Sequence, residues 1–123
     1  MKNKILIVDD SGMSRRTLRK ILEAPGYEVI EAEDGLSALE KYSLEKPDLV
    51  MLDLTMTGMY GLDVLKSLRQ MNPQVSVVIA SADIQSSSQE MAISEGARAF
   101  IIKPFNTEKV LSVVNAILGA EVK

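Results

Sequence analysis

Five polar residues carry groups that could bind a metal ion or stabilise a charged group, and each lies at the end of a short apolar run. They are Asp9, Asp10, Asp53, Ser81 and Lys103. The chain contains no His and no Cys, which excludes histidine bases, thiol nucleophiles, disulfides and zinc sites built on these residues. Any chemistry must therefore use carboxylates, an ammonium group, hydroxyls, backbone groups or a hard metal ion.

The aspartates have an ordinary interpretation and a joint one. Taken singly, Asp9 and Asp10 are typical of a helix N-terminus and Asp53 is typical of a turn. Taken together, carboxylates about 5 Å apart would repel by roughly 3 kcal/mol per pair at an effective dielectric constant near 20, and a bound cation would relieve that repulsion. Oxygen ligands select a hard ion, Mg²⁺ with Mn²⁺ as an alternative, and leave coordination sites for water and a phosphoryl oxygen.

Ser81 and Lys103 extend the joint interpretation from metal binding to group transfer. Alone, they would be an ordinary strand-end hydroxyl and an ordinary surface lysine. Beside a metal ion they can stabilise a phosphoryl group in transfer, because that chemistry depends mainly on positioning and charge neutralisation. One of the carboxylates can then act as the nucleophile.

Short apolar runs, separated by segments of helical periodicity, must position these residues. The runs open near Ile5, Glu28, Leu49, Val75 and Ala99. Four are almost continuously apolar, as in strands covered on both faces, whereas the second alternates and is typical of an edge strand. The alternation of strands and helices predicts an α/β fold with a doubly wound parallel sheet, helices on both faces, and all strands ending at one edge.

The predicted helices differ in the apolar stripe that would anchor them. Leu62, Leu65 and Leu68 form a clear stripe in the third helix. The fourth helix, around residues 86–95, has only Met91 and Ala92. We therefore expect the fourth helix to be the least firmly docked.

A basic cluster occupies the first predicted helix. It consists of Arg15, Arg16, Arg19 and Lys20. The ordinary interpretation is a solvated helix face, and the functional alternative is docking to an acidic patch of a partner protein.

Length and charge restrict the class of protein. At 123 residues, with too few residues after Leu118 for an output domain, we expect a single domain over residues 1–123. Lys and Arg number 14 against 17 Asp and Glu, which argues against direct DNA binding. The run after Lys4 is too short for a signal peptide and no run reaches the length of a membrane span, so we expect a cytoplasmic protein without membrane insertion.

The sequence resembles the receiver domain of bacterial two-component response regulators, from Lys4 to Leu118. The resemblance is carried by ILIVDDS at Ile5–Ser11, DLTM at Asp53–Met56, VIASA at Val78–Ala82 and FIIKPF at Phe100–Phe105. It is strongest to the stand-alone, chemotaxis-regulator type. It implies a flavodoxin-like sheet of order 2-1-3-4-5 in a receiver domain without an output domain.

The resemblance also implies a chemical role for each site residue. Asp53 would accept a phosphoryl group from a phosphohistidine of a histidine kinase or a histidine phosphotransfer protein. Asp9 and Asp10 would hold Mg²⁺ together with Asp53 and the backbone carbonyl of Thr55. Lys103 would pair with the phosphoryl oxygens. Such a protein catalyses its own phosphotransfer and dephosphorylation but is not a turnover enzyme.

A conformational switch is implied as well. In relatives, a hydroxyl at the position of Ser81 moves toward the phosphoryl group and an aromatic ring at the position of Phe100 turns inward. These movements would remodel the face made by the fourth helix, fifth strand and fifth helix, where a downstream protein would bind. The bond between Lys103 and Pro104 would be cis, and the protein would be a monomer or a weak dimer.

The sequence departs from the family pattern in the loop after Asp53. Thr57 stands where Pro is common, and Tyr60 stands where an acidic or amide residue is frequent. Thr55 and Asp83 occupy positions that tune the lifetime of the phosphorylated form in relatives. Thr57 and Tyr60 bear on loop rigidity and partner choice, and Thr55 and Asp83 bear on the lifetime.

Three alternatives use parts of the same pattern. A dehalogenase-like Mg²⁺-dependent phosphatase shares the residue types but would have its nucleophile in a D-x-D motif. A flavodoxin would need a phosphate-accepting loop where Asp9 and Asp10 would repel phosphate. A pseudo-receiver would act as an unphosphorylated interaction module, although all the site residues are present.

Overall fold

The computed structural model describes residues 3–55, 60–82 and 85–119, in which apolar runs form strands and amphipathic segments form helices. The strands are β1 Lys4–Val8, β2 Glu28–Ala32, β3 Leu49–Leu52, β4 Val77–Ser81 and β5 Ala99–Ile102. The helices are α1 Gly12–Glu23, α2 Gly35–Glu45, α3 Gly61–Met71, α4 Ser86–Ser94 and α5 Thr107–Leu118. The predicted alternation is therefore confirmed.

The strands form one parallel sheet in the order β2-β1-β3-β4-β5. This order confirms the predicted flavodoxin-like arrangement. β1 and β3 lie inside the sheet, and every residue of β3 is buried, as expected for strands covered on both faces. β4 begins at Val77 instead of near Val75, because the Val75 amide donates to the Asn72 carbonyl in the preceding turn.

Helices cover both faces of the sheet, and each face has its own apolar core. On one face, α2, α3 and α4 contribute residues such as Ala38, Leu65 and Ala92. On the other face, α1 and α5 contribute residues such as Leu18 and Val114. The two cores hold the strands in register, so the residues at the strand ends are held by a rigid sheet.

β2 is the edge strand predicted from its alternating sequence. Two of its carbonyl groups accept hydrogen bonds from side chains of the flanking helices. Arg19 Nη2 donates to the carbonyl of Val29 at 3.4 Å, and Lys41 Nζ donates to the carbonyl of Glu31. Cationic side chains of α1 and α2 thus cover the backbone of this edge.

α4 has the weakest anchor of the described helices, as the sequence predicts. Ala92 is its one buried residue, whereas α3 buries Gly61, Leu62, Val64, Leu65 and Leu68. Little apolar area therefore opposes local opening of α4.

We expect amide hydrogens of α4 to exchange with solvent at least about tenfold faster than those of α3, since about 1.4 kcal/mol less local stability suffices for that difference. Hydrogen–deuterium exchange with peptide-level mass spectrometry measures both helices in one sample. Equal protection of α3 and α4 would contradict the weak docking inferred from burial.

No helix among residues 3–55, 60–82 and 85–119 has the length and apolar character needed to cross a membrane.

Candidate functional site

The predicted site residues lie where the strands end. Asp9 directly follows β1, Asp53 follows β3, Ser81 is the last residue of β4, and Lys103 follows β5. Because these strands are neighbours in a parallel sheet, their carboxyl ends meet at one edge. The fold therefore brings together the groups that the sequence analysis places there.

The aspartates form a compact acidic cluster. One carboxylate oxygen from each of Asp9, Asp10 and Asp53 lies within 4.8 Å of the others. Asp9 and Asp53 are only 2% and 3% exposed, whereas Asp10 is exposed to solvent. A set of oxygen donors with one open side fits a hard divalent cation that keeps some of its water.

Lys103 places its ammonium group between the two buried carboxylates. Its Nζ lies 2.8 Å from Asp9 Oδ2 and 3.7 Å from Asp53 Oδ2. Its backbone amide donates to the Ser81 carbonyl at 2.9 Å, and the bond to Pro104 is cis, as predicted. Lys103 is thus fixed to the end of β4 while its side chain reaches the end of β1.

Burial raises the pKa of Asp9 above its ordinary value. The hydrogen bond with Lys103 and the bond donated by the Ser11 amide at 2.9 Å both favour the ionised form and lower this pKa. The negative charge of Asp53 raises it again. The net shift is upward, so burial and the neighbouring Asp53 destabilise the Asp9 carboxylate even with the Lys103 ammonium beside it.

Asp53 is held by its backbone and by the residue two positions further along. Its amide donates to the Val8 carbonyl at 2.9 Å, which anchors it to the end of β1. The Thr55 amide and Thr55 Oγ1 donate to Asp53 Oδ1 at 3.3 and 3.4 Å. Oδ2 is left to face Lys103.

Gly61 is a residue of this region that sequence reasoning misses. It begins α3, and its amide donates to the Leu54 carbonyl at 3.1 Å. A Cβ at this position would lie 2.5 Å from Leu54 Cα and 2.6 Å from the Asp53 carbonyl oxygen, closer than van der Waals contact permits. α3 can therefore press against the segment that carries Asp53 only because residue 61 lacks a side chain.

We expect Gly61→Ala to lower the free energy of unfolding by about 1–3 kcal/mol, because the added methyl group must displace backbone atoms. Urea denaturation measures this change. Gly12→Ala is a matched control, since Gly12 also begins a helix but its Cβ would meet only arginine side-chain atoms at 3.6 Å and beyond. Equal stability of the two variants would contradict the close approach of the Leu54 backbone to Gly61.

The two predicted switch residues project from the same face of the sheet. Ser81 is fully buried, and Phe100 is half-buried against the core beneath α3 and α4. Phe100 lies opposite Ile79 in the β4–β5 register, two residues before Ser81. Since side chains two apart on a strand share a face, Ser81 and Phe100 both lie on the side covered by α4.

The basic cluster of α1 divides into two pairs. Arg16 and Lys20 are exposed, as expected for a solvated face. Arg15 and Arg19 instead form ion pairs with Glu31 of β2, at 2.8 and 2.6 Å. The solvated-face interpretation is therefore wrong for Arg15 and Arg19, because periodicity along a helix does not reveal an acidic residue on a neighbouring strand.

The departures in the loop after Asp53 are only partly within the described residues. Tyr60 is 43% exposed and precedes α3, but its side chain makes no capping hydrogen bond. Thr57 and Asp83 lie outside the described residues.

Comparisons with known proteins agree with this geometry. The family described as "Response regulator receiver domain" matches residues 5–115. The chain is 43% identical over 120 residues to Chemotaxis protein CheY of Bacillus subtilis (strain 168), covering 97% of this chain and 100% of that protein. It is 39% identical over 118 residues to Chemotaxis protein CheY of Thermotoga maritima, covering 95% of this chain and 98% of that protein.

A solved structure shares the fold over nearly the whole chain. The CheY-like response regulator receiver domain protein from Methanospirillum hungatei JF-1 superposes with a TM-score of 0.92 at 27% identity, covering 98% of this chain and 96% of that one. These similarities favour a phosphoacceptor signalling domain over the phosphatase, flavodoxin and pseudo-receiver alternatives. The chain belongs to the response regulator receiver domain family.

Proposed function

We propose that Asp53 accepts a phosphoryl group in an Mg²⁺-dependent reaction, and that this modification alters a protein-binding face formed by α4, β5 and α5. The observation that carries the proposal is the convergence of groups at the strand ends. Asp9, Asp10 and Asp53 place carboxylate oxygens within 4.8 Å of one another, and Lys103 Nζ lies 3.7 Å from Asp53 Oδ2.

The chemistry follows from the arrangement around Asp53. An oxygen of the Asp53 carboxylate forms a bond to phosphorus as the bond from phosphorus to the donor's imidazole nitrogen breaks, and the imidazole leaves with its electron pair. Asp9, Asp10 and Asp53, with the backbone carbonyl of Thr55, would hold Mg²⁺. The ion supplies positive charge that offsets the charge on the transferring group.

Lys103 supplies positive charge from the chain itself. Its ammonium already lies near Asp53 Oδ2 while pairing with Asp9, so a short movement of a flexible side chain brings it to a phosphoryl oxygen. Thr55 donates to the other oxygen of Asp53 and orients the carboxylate for attack.

Phosphorylation is coupled to binding through Ser81 and Phe100. Both lie on the side of the sheet covered by α4, whose buried contact is limited to Ala92. When the Ser81 hydroxyl bonds the phosphoryl group, Phe100 turns inward and α4 moves at low cost. Met91 and Ile102, about half exposed on α4 and β5, are part of the surface that changes.

The proposal extends to the partners and the setting of the protein. The phosphoryl donor is a histidine kinase or a histidine phosphotransfer protein, and its phosphohistidine lies outside these residues, which contain no His. Residues 1–123 form one receiver domain that works in the cytoplasm as a monomer or weak dimer, and Mn²⁺ can replace Mg²⁺. It dephosphorylates itself slowly and does not turn over an external substrate.

Incubation with acetyl phosphate and Mg²⁺, followed by intact-mass analysis, tests the proposal. We expect one added phosphoryl group per chain with Mg²⁺ and none when EDTA replaces it. An unchanged mass with Mg²⁺ would instead favour a pseudo-receiver. Continuous release of phosphate from excess acetyl phosphate without a labelled intermediate would favour a phosphatase.

A further inference from the structure

Arg15 contacts the backbone of the acidic cluster. Its Nη1 donates a hydrogen bond of 2.7 Å to the carbonyl oxygen of Asp9. Asp9 is only 2% exposed and lies just beyond the end of β1, where its amide donates to the Ala32 carbonyl at 3.1 Å. The arginine therefore provides a partner for a carbonyl group in a buried residue that cannot rely on water.

Glu31 holds the guanidinium of Arg15 in place. Arg15 Nε donates to Glu31 Oε1 at 2.8 Å, and Arg19 Nε donates to Glu31 Oε2 at 2.6 Å. Burial raises the pKa of Glu31, but the hydrogen bonds from Arg19 and Arg15 outweigh it, so the pKa is lowered overall. Glu31 is thus a charged anchor on β2, and Arg15 bridges it to the end of β1.

We propose that Arg15 is a positioning residue for divalent-cation binding: bridged between Glu31 and the Asp9 carbonyl, it fixes the peptide that joins Asp9 to Asp10. This inference rests on the proposed function, because it takes these aspartates as ligands of Mg²⁺. The Asp9 carbonyl lies in the peptide plane that links the two residues. Rotation of that plane would move the Asp10 side chain relative to Asp9 and Asp53.

The bridge requires the shape of arginine. A guanidinium offers donors in a rigid fork and can bond a carboxylate and a carbonyl at once, whereas an ammonium is a single point of charge. Simple electrostatics predicts the opposite effect of removing Arg15, since loss of a nearby positive charge should strengthen cation binding. The sign of the change in Mg²⁺ affinity therefore separates positioning from charge.

Isothermal titration calorimetry of the metal-free full chain with MgCl₂ measures the Kd for Mg²⁺. The salt concentration is about 0.15 M, at which remote charges are screened. We expect Arg15→Gln to weaken Mg²⁺ binding about tenfold, as is usual when a group that orients a ligand is removed. Arg15→Lys is expected to recover little of this loss. Arg16→Gln is the matched control, since it removes the same charge from an exposed neighbour, and its Kd should stay within about twofold of the wild type.

Two further measurements exclude a general loss of structure. Circular dichroism melting establishes that each variant is folded at the titration temperature. The rate of phosphorylation by acetyl phosphate in Arg15→Gln should approach the wild-type rate at saturating Mg²⁺, because the defect lies in cation binding. Arg15→Lys keeps the positive charge and removes only the guanidinium fork, so its weaker Mg²⁺ binding decides the question if Arg15→Gln does not fold.

Mg²⁺ affinity of Arg15→Gln, or of Arg15→Lys if the glutamine variant does not fold, equal to or tighter than that of the wild type would overturn the inference. That result would leave the proposed function intact if the wild type binds Mg²⁺ and gains a phosphoryl group. A wild-type chain that binds Mg²⁺ but gains none would overturn the proposed function, while the effect of Arg15 on binding would still stand.

Discussion

Replacing Asp53 by Asn is expected to abolish the mass gain of one phosphoryl group after incubation with acetyl phosphate and Mg²⁺. The amide has no anionic oxygen to attack phosphorus, so the loss should be complete rather than partial. The substitution keeps nearly the same size, and the Asp53 backbone bond to Val8 is unaffected. Intact-mass spectrometry of wild type and variant at equal times measures the result.

Asp63→Asn serves as the matched control, because Asp63 is an exposed acid in the first turn of α3. It should be labelled at the wild-type rate. Labelling that persists in Asp53→Asn would show that another residue accepts the group, and the assignment of Asp53 would be wrong. Tandem mass spectrometry of the labelled chain would then locate that residue.

Replacing Lys103 by Ala is expected to lower the free energy of unfolding of the metal-free protein by about 2–3 kcal/mol. Loss of one member of a buried ion pair leaves the other charge uncompensated, and the partial exposure of Lys103 reduces the full cost. Mg²⁺ should restore much of this stability, because the cation replaces the lost positive charge. Urea denaturation with EDTA and with Mg²⁺ measures both effects.

The same variant has a predicted pH dependence. Burial raises the pKa of Asp9, and loss of the hydrogen bond with Lys103 should raise it further. A carboxyl group whose pKa is higher folded than unfolded destabilises the protein most at neutral pH, and the penalty fades as pH falls toward the unfolded value. The free energy of unfolding of Lys103→Ala should therefore differ least from that of the wild type near pH 4, close to the ordinary Asp pKa of 3.8.

Lys109→Ala is the control for Lys103→Ala, since Lys109 is exposed on α5. Its free energy of unfolding should change by less than about 1 kcal/mol, with no dependence on Mg²⁺. Equal responses of the two variants to Mg²⁺ would contradict the role of the Lys103 ammonium beside the acidic cluster.

The strands that lead to the site residues could be predicted, because each is marked by a local sequence pattern. Each of Asp9, Asp53 and Lys103 directly follows an apolar run, and parallel strands bring such ends together. Ser81 is the last residue of β4, which places its side chain in the buried layer. The weak docking of α4 could also be read from its thin apolar stripe.

Contacts between residues far apart in sequence could not be predicted. Arg15 and Glu31 lie on different elements, so helical periodicity gives the face of Arg15 but not its partner. Similarly, the sequence places Lys103 near both buried aspartates but cannot order the distances, and the ammonium lies closer to Asp9 than to Asp53. The close approach at Gly61 depends on how α3 packs, which no local pattern encodes.

The side chains that cover β2 affect how readily the protein associates with other chains. An exposed strand with free carbonyl groups can be extended by a strand from any other chain, whatever its sequence. Arg19 and Lys41 occupy the carbonyls of Val29 and Glu31, so an incoming strand would first have to break these bonds. The edge strand is thereby protected against pairing with strands of other chains.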